Sequence, residues 1–452
     1  MKYDYLIENC RYPDFESRTF KSGCVAVSGG KITGIFDSSA GIDAVKIDGK
    51  GRILSPGFID IHMHEEDFVN DGLRYYIAEN MRNMGVTTCC GGNCGLIRQP
   101  VADFRAGIEK LGGCPVNYVL MTGYNHYRRV QGLGSYDTAS DAQIKAAAAY
   151  IRRDLNDGAR GISFGIEYDP AMTTKEILKL LDQFDDENLL VPIHYRDDAS
   201  NAIASIREMI EIGRRSGKRM QISHLSSCSA SGQMDEALEL IKDAMSKDPK
   251  LDFDTYPYDA FSTSIGSTVF EDDCFEHLHI TYNDILLTTG PHAGERCTKE
   301  TFYEARRETP DMPAVCFAMN AREIAEAVAS PLGMVASDGI LSMGKGHPRA
   351  AGTFPRVLGK YVRQEHALPL LDALEKITLR PAKRLGLDSK GSIEVGKDAD
   401  LTLFDPDTIL DRADFVQNAL PPEGIDYVFL GGVPTVAHGK PTEALPGKFI
   451  PC

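Results

Sequence analysis

Ser55-Pro56-Gly57-Phe58-Ile59-Asp60-Ile61-His62-Met63-His64 is the stretch that decides the fold. An apolar run, Phe58 to Ile61, ends in two histidines one residue apart. Side chains alternate along a strand, so His62 and His64 face the same way. They leave the end of a buried strand together, and two imidazoles on one face are half of a transition-metal site. The other half has to come from elsewhere in the chain.

Working outward, short apolar runs recur at 53–62, 86–92, 116–121, 161–164, 189–194, 220–224, 251–255 and 333–337. Amphipathic helical stretches lie between most of them, such as 141–156, 175–187 and 202–216. Eight strands alternating with helices predict a (β/α)₈ TIM-like barrel over residues 56–385. A doubly wound open sheet is the alternative, and it lacks a Gly-rich phosphate turn after its first strand. Both chain ends read differently. Residues 1–55 and 386–452 are short strands separated by turns such as Gly29-Gly30 and Gly431-Gly432, which predicts one small β-sandwich built from both ends. The gap before the eighth run is long, and 284–330 reads as a lid inserted over the barrel mouth.

The 452 residues carry a formal charge of −16. With a pI near 5.2, this argues against nucleic acid or an anionic membrane as partner. No run reaches the roughly 18–20 apolar residues of a membrane span. Eleven cysteines show no C-x-x-C pair. The start of the chain is too short and too charged for a signal peptide, so reduced thiols in a cytoplasm are expected. The partner is expected to be a small-molecule substrate, with oligomeric state left open.

In a barrel the active site lies at the C-terminal ends of the strands. The first run ends in His62 and His64. Cys94 lies just past the second, His194 closes the fifth, His224 the sixth, and Asp338 follows the eighth. Four of the chain's eleven histidines fall on these ends. One histidine at a strand end is usually a satisfied core residue, whereas four in register with a cysteine and an aspartate point to a metal. Thiolate and imidazole select zinc, and an open barrel mouth implies a catalytic site with bound water. Asp338 is expected to be the general acid/base in hydrolysis of an amide-like bond. His277-Leu-His279 shares the spacing but adjoins a polar stretch, and reads as surface or lid.

These residues resemble the amidohydrolase superfamily. Gly85-Val-Thr-Thr with Gly92-Asn-Cys94-Gly, Asp254-Thr-Tyr256-Pro-Tyr258 and His347-Pro-Arg349-Ala-Ala-Gly-Thr-Phe-Pro-Arg356 look like its N-acyl-D-amino-acid deacylase (D-aminoacylase) branch. The likeness covers nearly the whole chain. Many superfamily members bridge two metals with a carboxylated lysine at the fourth strand. No lysine lies between Lys145 and Lys175 here, and in this branch a cysteine takes that role. The resemblance implies a tight zinc on Cys94, His194 and His224, and a weaker second site on His62, His64 and Cys94. It also implies Asp338 as acid/base, and makes Arg349 and Tyr256 candidates for the substrate carboxylate, with Ser262 beside them. Glu167 and Tyr168 read as pocket wall.

Arg196, two residues past His194, is expected on the same face, either as a substrate donor or in an ion pair with a carboxylate. One departure stands out. The branch usually has lysine two residues after the sixth-strand histidine, and this chain has Ser226. The activity implied is cleavage of an N-acyl group from a D-amino acid or a related compound. A dihydroorotase-like or hydantoinase-like cyclic-amide hydrolase is the second reading, and a non-catalytic binding protein the third.

Overall fold

A computed structural model describes residues 2–452. The middle of the chain closes into a barrel of eight parallel strands. They are Phe58–Asp60, Val86–Gly91, Asn117–Leu120, Ile162–Gly165, Leu190–His194, Arg219–Ile222, Asp252–Thr255 and Met334–Val335. The third is interrupted at Met121. Asn117–Leu120 pairs with the second strand, and its continuation, Thr122–Gly123, pairs with the fourth. Closure between the eighth and first strands rests on few bonds. Asp338 donates its N–H to the His62 carbonyl at 2.7 Å, and His64 donates to the Gly339 carbonyl at 2.9 Å. The buried Asp60 carboxylate accepts the Ser337 N–H at 3.0 Å and its hydroxyl as well.

Alternation along the strands separates two apolar layers. Ile59, Ile61, Cys90, Val119, Met121, Met334 and Ala336 form one cluster in the barrel interior. Phe58, Val86, Tyr118, Phe164, Val191 and Phe253 face out, against the helical shell. Helices Asp141–Asn156 and Ala202–Ser216 have the bounds read from periodicity, while Thr174–Leu181 stops short of the acidic stretch at 185–187.

Strands from both ends of the chain share one nine-stranded sheet. The joint is Ile53–Pro56, which pairs antiparallel with Leu401–Phe404. The apolar run at 53–62 is thus divided at Gly57 between two sheets. Gly57 is required there, because a Cβ would fall 2.2 Å from the Thr87 hydroxyl oxygen. Residues 30–32 bond back to 396–399. The sheet therefore folds over a core that includes Ile7, Val25, Val27, Leu54, Leu401, Leu403 and Phe429.

The crossover from the seventh to the eighth strand holds a small antiparallel sheet of Phe261–Ser264, Pro313–Cys316 and Ile285–Leu287. It has its own core, with Phe270, Ile285, Phe302 and Cys316. Helix Ala321–Ala329 instead packs Ile324, Ala327 and Val328 into the core of the barrel's helical shell. Among the described residues no helix is long and apolar enough to cross a membrane.

Gly85 ties the β domain to the barrel. Its carbonyl accepts from the Phe58 N–H at 3.0 Å and from the Thr402 hydroxyl at 2.7 Å. Its φ is +91°, and a Cβ would lie 2.7 Å from the Phe58 ring. Gly85→Ala combines a left-handed backbone with a clash, and is expected to cost about 2 kcal/mol or more. Denaturant titration checks this, and an unchanged midpoint would contradict the packing described.

Candidate metal centre and substrate cavity

Cys94 sits in the loop after the second strand, and the loop is pinned from several sides. Glu65, buried beside it, accepts the Gly92 N–H at 2.7 Å and the Arg98 N–H at 2.7 Å. Asn93 donates its side-chain amide to the Cys90 carbonyl at 2.9 Å, and Ser163 Oγ accepts the Gly95 N–H at 3.0 Å. These bonds hold Cys94 at φ +56°. His224 and Asp338 are also left-handed, at +35° and +49°. Such conformations cost of order 1–3 kcal/mol for residues other than glycine, and cluster where a side chain must be aimed.

The side chains aimed this way converge. His62 Nε2 lies 3.3 Å from Cys94 Sγ, and His224 Nε2 lies 3.5 Å from the same sulfur. Asp338 Oδ1 is 3.4 Å from His62 Nε2 and 3.3 Å from His64 Nε2. One ligand atom each from His62, Cys94, His224 and Asp338 falls within 4.8 Å of all the others. His194 Nδ1 faces His224 Nε2 at 2.9 Å. All six side chains are buried.

Second partners fix which ring nitrogen faces the cluster. Asp254 Oδ1 lies 3.1 Å from His62 Nδ1, which puts the proton there and turns the Nε2 lone pair inward. Asp254 also accepts the His224 backbone N–H at 2.8 Å and the Gln221 amide at 2.9 Å. Ser227 Oγ donates to the His224 carbonyl at 3.0 Å and so accepts from His224 Nδ1 at 2.9 Å. Glu167 Oε2 accepts from His194 Nε2 at 2.6 Å. Those bonds turn one ring nitrogen each of His62, His194 and His224 toward another ring nitrogen or toward sulfur. Such an array is incomplete without positive charge between the donors, and its N, S and O set is that of a first-row transition metal.

With no cation between them, the same donors draw protons in its place, so the His62 and His194 imidazoles facing Cys94 are driven toward their charged form. Burial pushes the Cys94 thiol up, but charged His62 and contacts from His194 and His224 outweigh it and hold the thiol well below its usual value. Burial would lower His194, yet Cys94 and Glu167 raise it to about 10. Glu167 is itself pushed up to about 7 by burial and by the charge of Asp198. Asp338, despite burial, is held well below the carboxylate range by Arg349 and His224.

A cavity opens above the cluster. His64, His194, His224 and Asp338 line it, together with Arg98, Glu167, Tyr168, Asp198, Tyr256 and Ser262. Arg349 sits behind this wall, with its guanidinium carbon 4.8 Å from the Tyr256 ring centroid, Nη1 2.9 Å from Asp338 Oδ2, and Nη2 donating to the Ser262 carbonyl at 3.1 Å. The expectation of Arg196 as a substrate donor is corrected. Both arms of its guanidinium go to Glu208, at 2.7 and 2.8 Å, and the rest to the carbonyls of Pro170 and Met172. The strand ends at His194, so alternation no longer sets direction two residues later. Ser226 is fully buried, and its hydroxyl accepts the Tyr256 N–H at 3.3 Å. His277 belongs to the inserted segment and reaches Asp198 at 2.7 Å.

Sequence reading passed over Asp254, Ser227, Glu65 and Arg98. Asp254 left a trace in alternation, as the strand Asp252–Thr255 turns Phe253 out to the helical shell and so Asp254 inward. Ser227 lies in the short helix Leu225–Ser229, one turn past His224, whereas Glu65 and Arg98 are loop residues whose contacts the folded barrel creates.

Lone pairs from five strand ends meeting under an open cavity define a metal-dependent enzyme of the (β/α)₈ class. The sequence model of the amidohydrolase family matches residues 53–435, and the chain belongs to that family. It is 29% identical to the D-aminoacylase of Alcaligenes xylosoxydans xylosoxydans, over 96% of this chain and 94% of that one. The crystal structure of N-acyl-D-glutamate deacylase from Bordetella bronchiseptica, complexed with zinc and a phosphonate inhibitor, superposes with a TM-score of 0.87 at 26% identity over the whole of both chains. The L-hydantoinase of Arthrobacter aurescens covers both chains with a TM-score of 0.65 at 16% identity, a likeness of fold.

Asp254→Asn removes the acceptor that orients His62 while keeping the size of the side chain. Outer partners of this kind are worth about 10- to 100-fold in metal affinity. Chelator competition on the folded variant is expected to show that loss. Unaltered affinity would mean that His62 is oriented by something else.

Proposed function

We propose that the protein is a zinc-dependent deacylase that hydrolyses the amide bond of N-acyl-D-amino acids or close relatives of them. The observation that carries this is the position of Asp338, a carboxylate at the edge of the ligand cluster that also lines the substrate cavity. Cys94, His194 and His224 would hold the tighter metal, and His62 and His64 with Cys94 a weaker one. When bound, the metal supplies Lewis-acid activation of water and of the amide carbonyl.

The chain's own groups do the rest. Asp338 is kept ionised at neutral pH by Arg349 and His224, against its burial. Oδ1 can therefore take a proton from the attacking water and return it to the leaving nitrogen. Arg349 steadies Oδ2, so that Oδ1 faces the cluster. The substrate carboxylate is received by Tyr256 and Ser262 on the wall, with the charge of Arg349 behind them. Supporting this, Ser262 Oγ and Arg349 Nε are buried polar atoms without a hydrogen-bond partner among the described residues. Buried orphans of this kind mark places where a ligand completes the bonding.

Residues 1–55 with 386–452 act as a β domain bracing the catalytic barrel at 56–385. The inserted segment covers the mouth, where Phe261, Thr263 and Ser264 line the cavity and His277 clasps Asp198. Cytoplasmic residence belongs to the same reading, supported by eleven free cysteines, ten of them buried.

Hydrolysis by the metal-loaded protein of N-acetyl-D-amino acids, set against their L-enantiomers, dihydroorotate and hydantoins, tests the reading. D-acyl compounds are expected to be cleaved, and activity confined to rings would overturn it. Asp338→Asn is expected to lower kcat by about 10²–10⁴ with metal content retained. An unchanged rate would remove Asp338 from the mechanism.

A further inference from the structure

The charged groups that line the cavity are almost all accounted for. Glu167 is bound to His194 at 2.6 Å, Asp198 to His277 at 2.7 Å, and Asp338 to Arg349 at 2.9 Å. Arg98 is the exception. It is half-buried and lines the cavity. Its backbone N–H is taken by Glu65. Among the described residues its guanidinium has no carboxylate within salt-bridge distance and no hydrogen-bond acceptor. Arg196 and Arg349, by contrast, are each engaged with a carboxylate.

A guanidinium partly withdrawn from water gains most from a planar, bidentate anion. The chain supplies none, so the geometry leaves that place to the ligand. The position within the barrel is informative. Arg98 lies in the loop after the second strand. Tyr256 and Ser262 follow the seventh strand, which is separated from the second by the eighth and the first, and Arg349, from beyond the eighth, reaches back to the Ser262 carbonyl. A substrate whose α-carboxylate sits at Tyr256 and Ser262 therefore meets Arg98 with a different part of itself.

We propose that Arg98 is a specificity residue that receives a second anionic group of the substrate, so that the preferred substrates are N-acylated D-amino acids carrying two carboxylates. This rests on the deacylase reading and narrows its substrate class. The second carboxylate can belong to the amino-acid side chain or to the acyl group, and the chemistry at Arg98 is the same for both.

The test compares N-acetyl-D-glutamate, N-succinyl-D-alanine and N-acetyl-D-leucine on the metal-loaded wild type, Arg98→Gln and Arg98→Lys. One of the two dianionic compounds is expected to exceed the leucine compound in kcat/KM by about tenfold or more, the worth of one charge-assisted pair. Arg98→Gln is expected to collapse that ratio through KM, and Arg98→Lys to restore part of it. Which dianion shows the effect assigns the carboxylate to side chain or acyl group. A ratio that survives Arg98→Gln, or a loss equal for all three compounds, would overturn the assignment.

Calorimetric binding of glutarate gives a second readout that needs no turnover. It is expected to weaken about tenfold in Arg98→Gln, and equal affinity would overturn the inference by itself. Failure of the wild type to cleave any of the three compounds, with the glutarate difference intact, would count against the deacylase reading and not against Arg98 as an anion site.

Discussion

Everything at the site depends on a closure made by very few bonds, between the first barrel strand and the end of the eighth. Two backbone hydrogen bonds, Asp338 N–H to His62 and His64 N–H to Gly339, join segments far apart in sequence. The buried Asp60 carboxylate, held by Ser337, supports them. Loop-closure entropy opposes such a joint until the intervening strands are in place. The ligand set therefore cannot exist in a partly assembled barrel, because His62 and Asp338 share it only after the last strand docks. The same joint sets geometry. Each partner's backbone fixes the other's side chain, which places a carboxylate within reach of two imidazoles.

Once closed, the site concentrates groups that repel or compete. Imidazole lone pairs face one another and a thiol is driven toward thiolate, all in a region nearly shut off from water. Three of the residues that do this sit in left-handed backbone. None of these features stabilises the fold alone. They become favourable together when a cation supplies the missing charge, so binding of the metal and stability of the barrel top are linked. Asp254 shows how economically the protein manages this, since one carboxylate orients His62, the His224 backbone and Gln221 at once.

How much of this could be read from the chain follows from the range of each signal. The H-x-H pair, the strand-end histidines and the alternation of apolar runs are local and periodic, and the barrel and the convergence of His62, His64, His194 and His224 were legible from them. Cys94 needed its glycine-rich neighbourhood and the family likeness, because a loop carries no period. Arg196 shows where periodicity fails. It counts as a same-face residue only if the strand continues, and the strand stops at His194. Arg98 and Glu65 could not be read at all, since a loop residue's partners are set by which other loops the barrel brings beside it. The division of the 53–62 run at Gly57 was hidden for the same reason: only the closeness of Thr87 requires the glycine.

The Cys94 thiolate, from the loop after the second strand, is what sets this centre apart from one built of histidines and carboxylate alone. X-ray absorption at the edge of the metal carried by the purified protein tests it most directly. One sulfur at about 2.3 Å with nitrogen at about 2.0–2.1 Å is expected, with the sulfur lost in Cys94→Ser. A first shell of nitrogen and oxygen alone in the wild type would contradict the account.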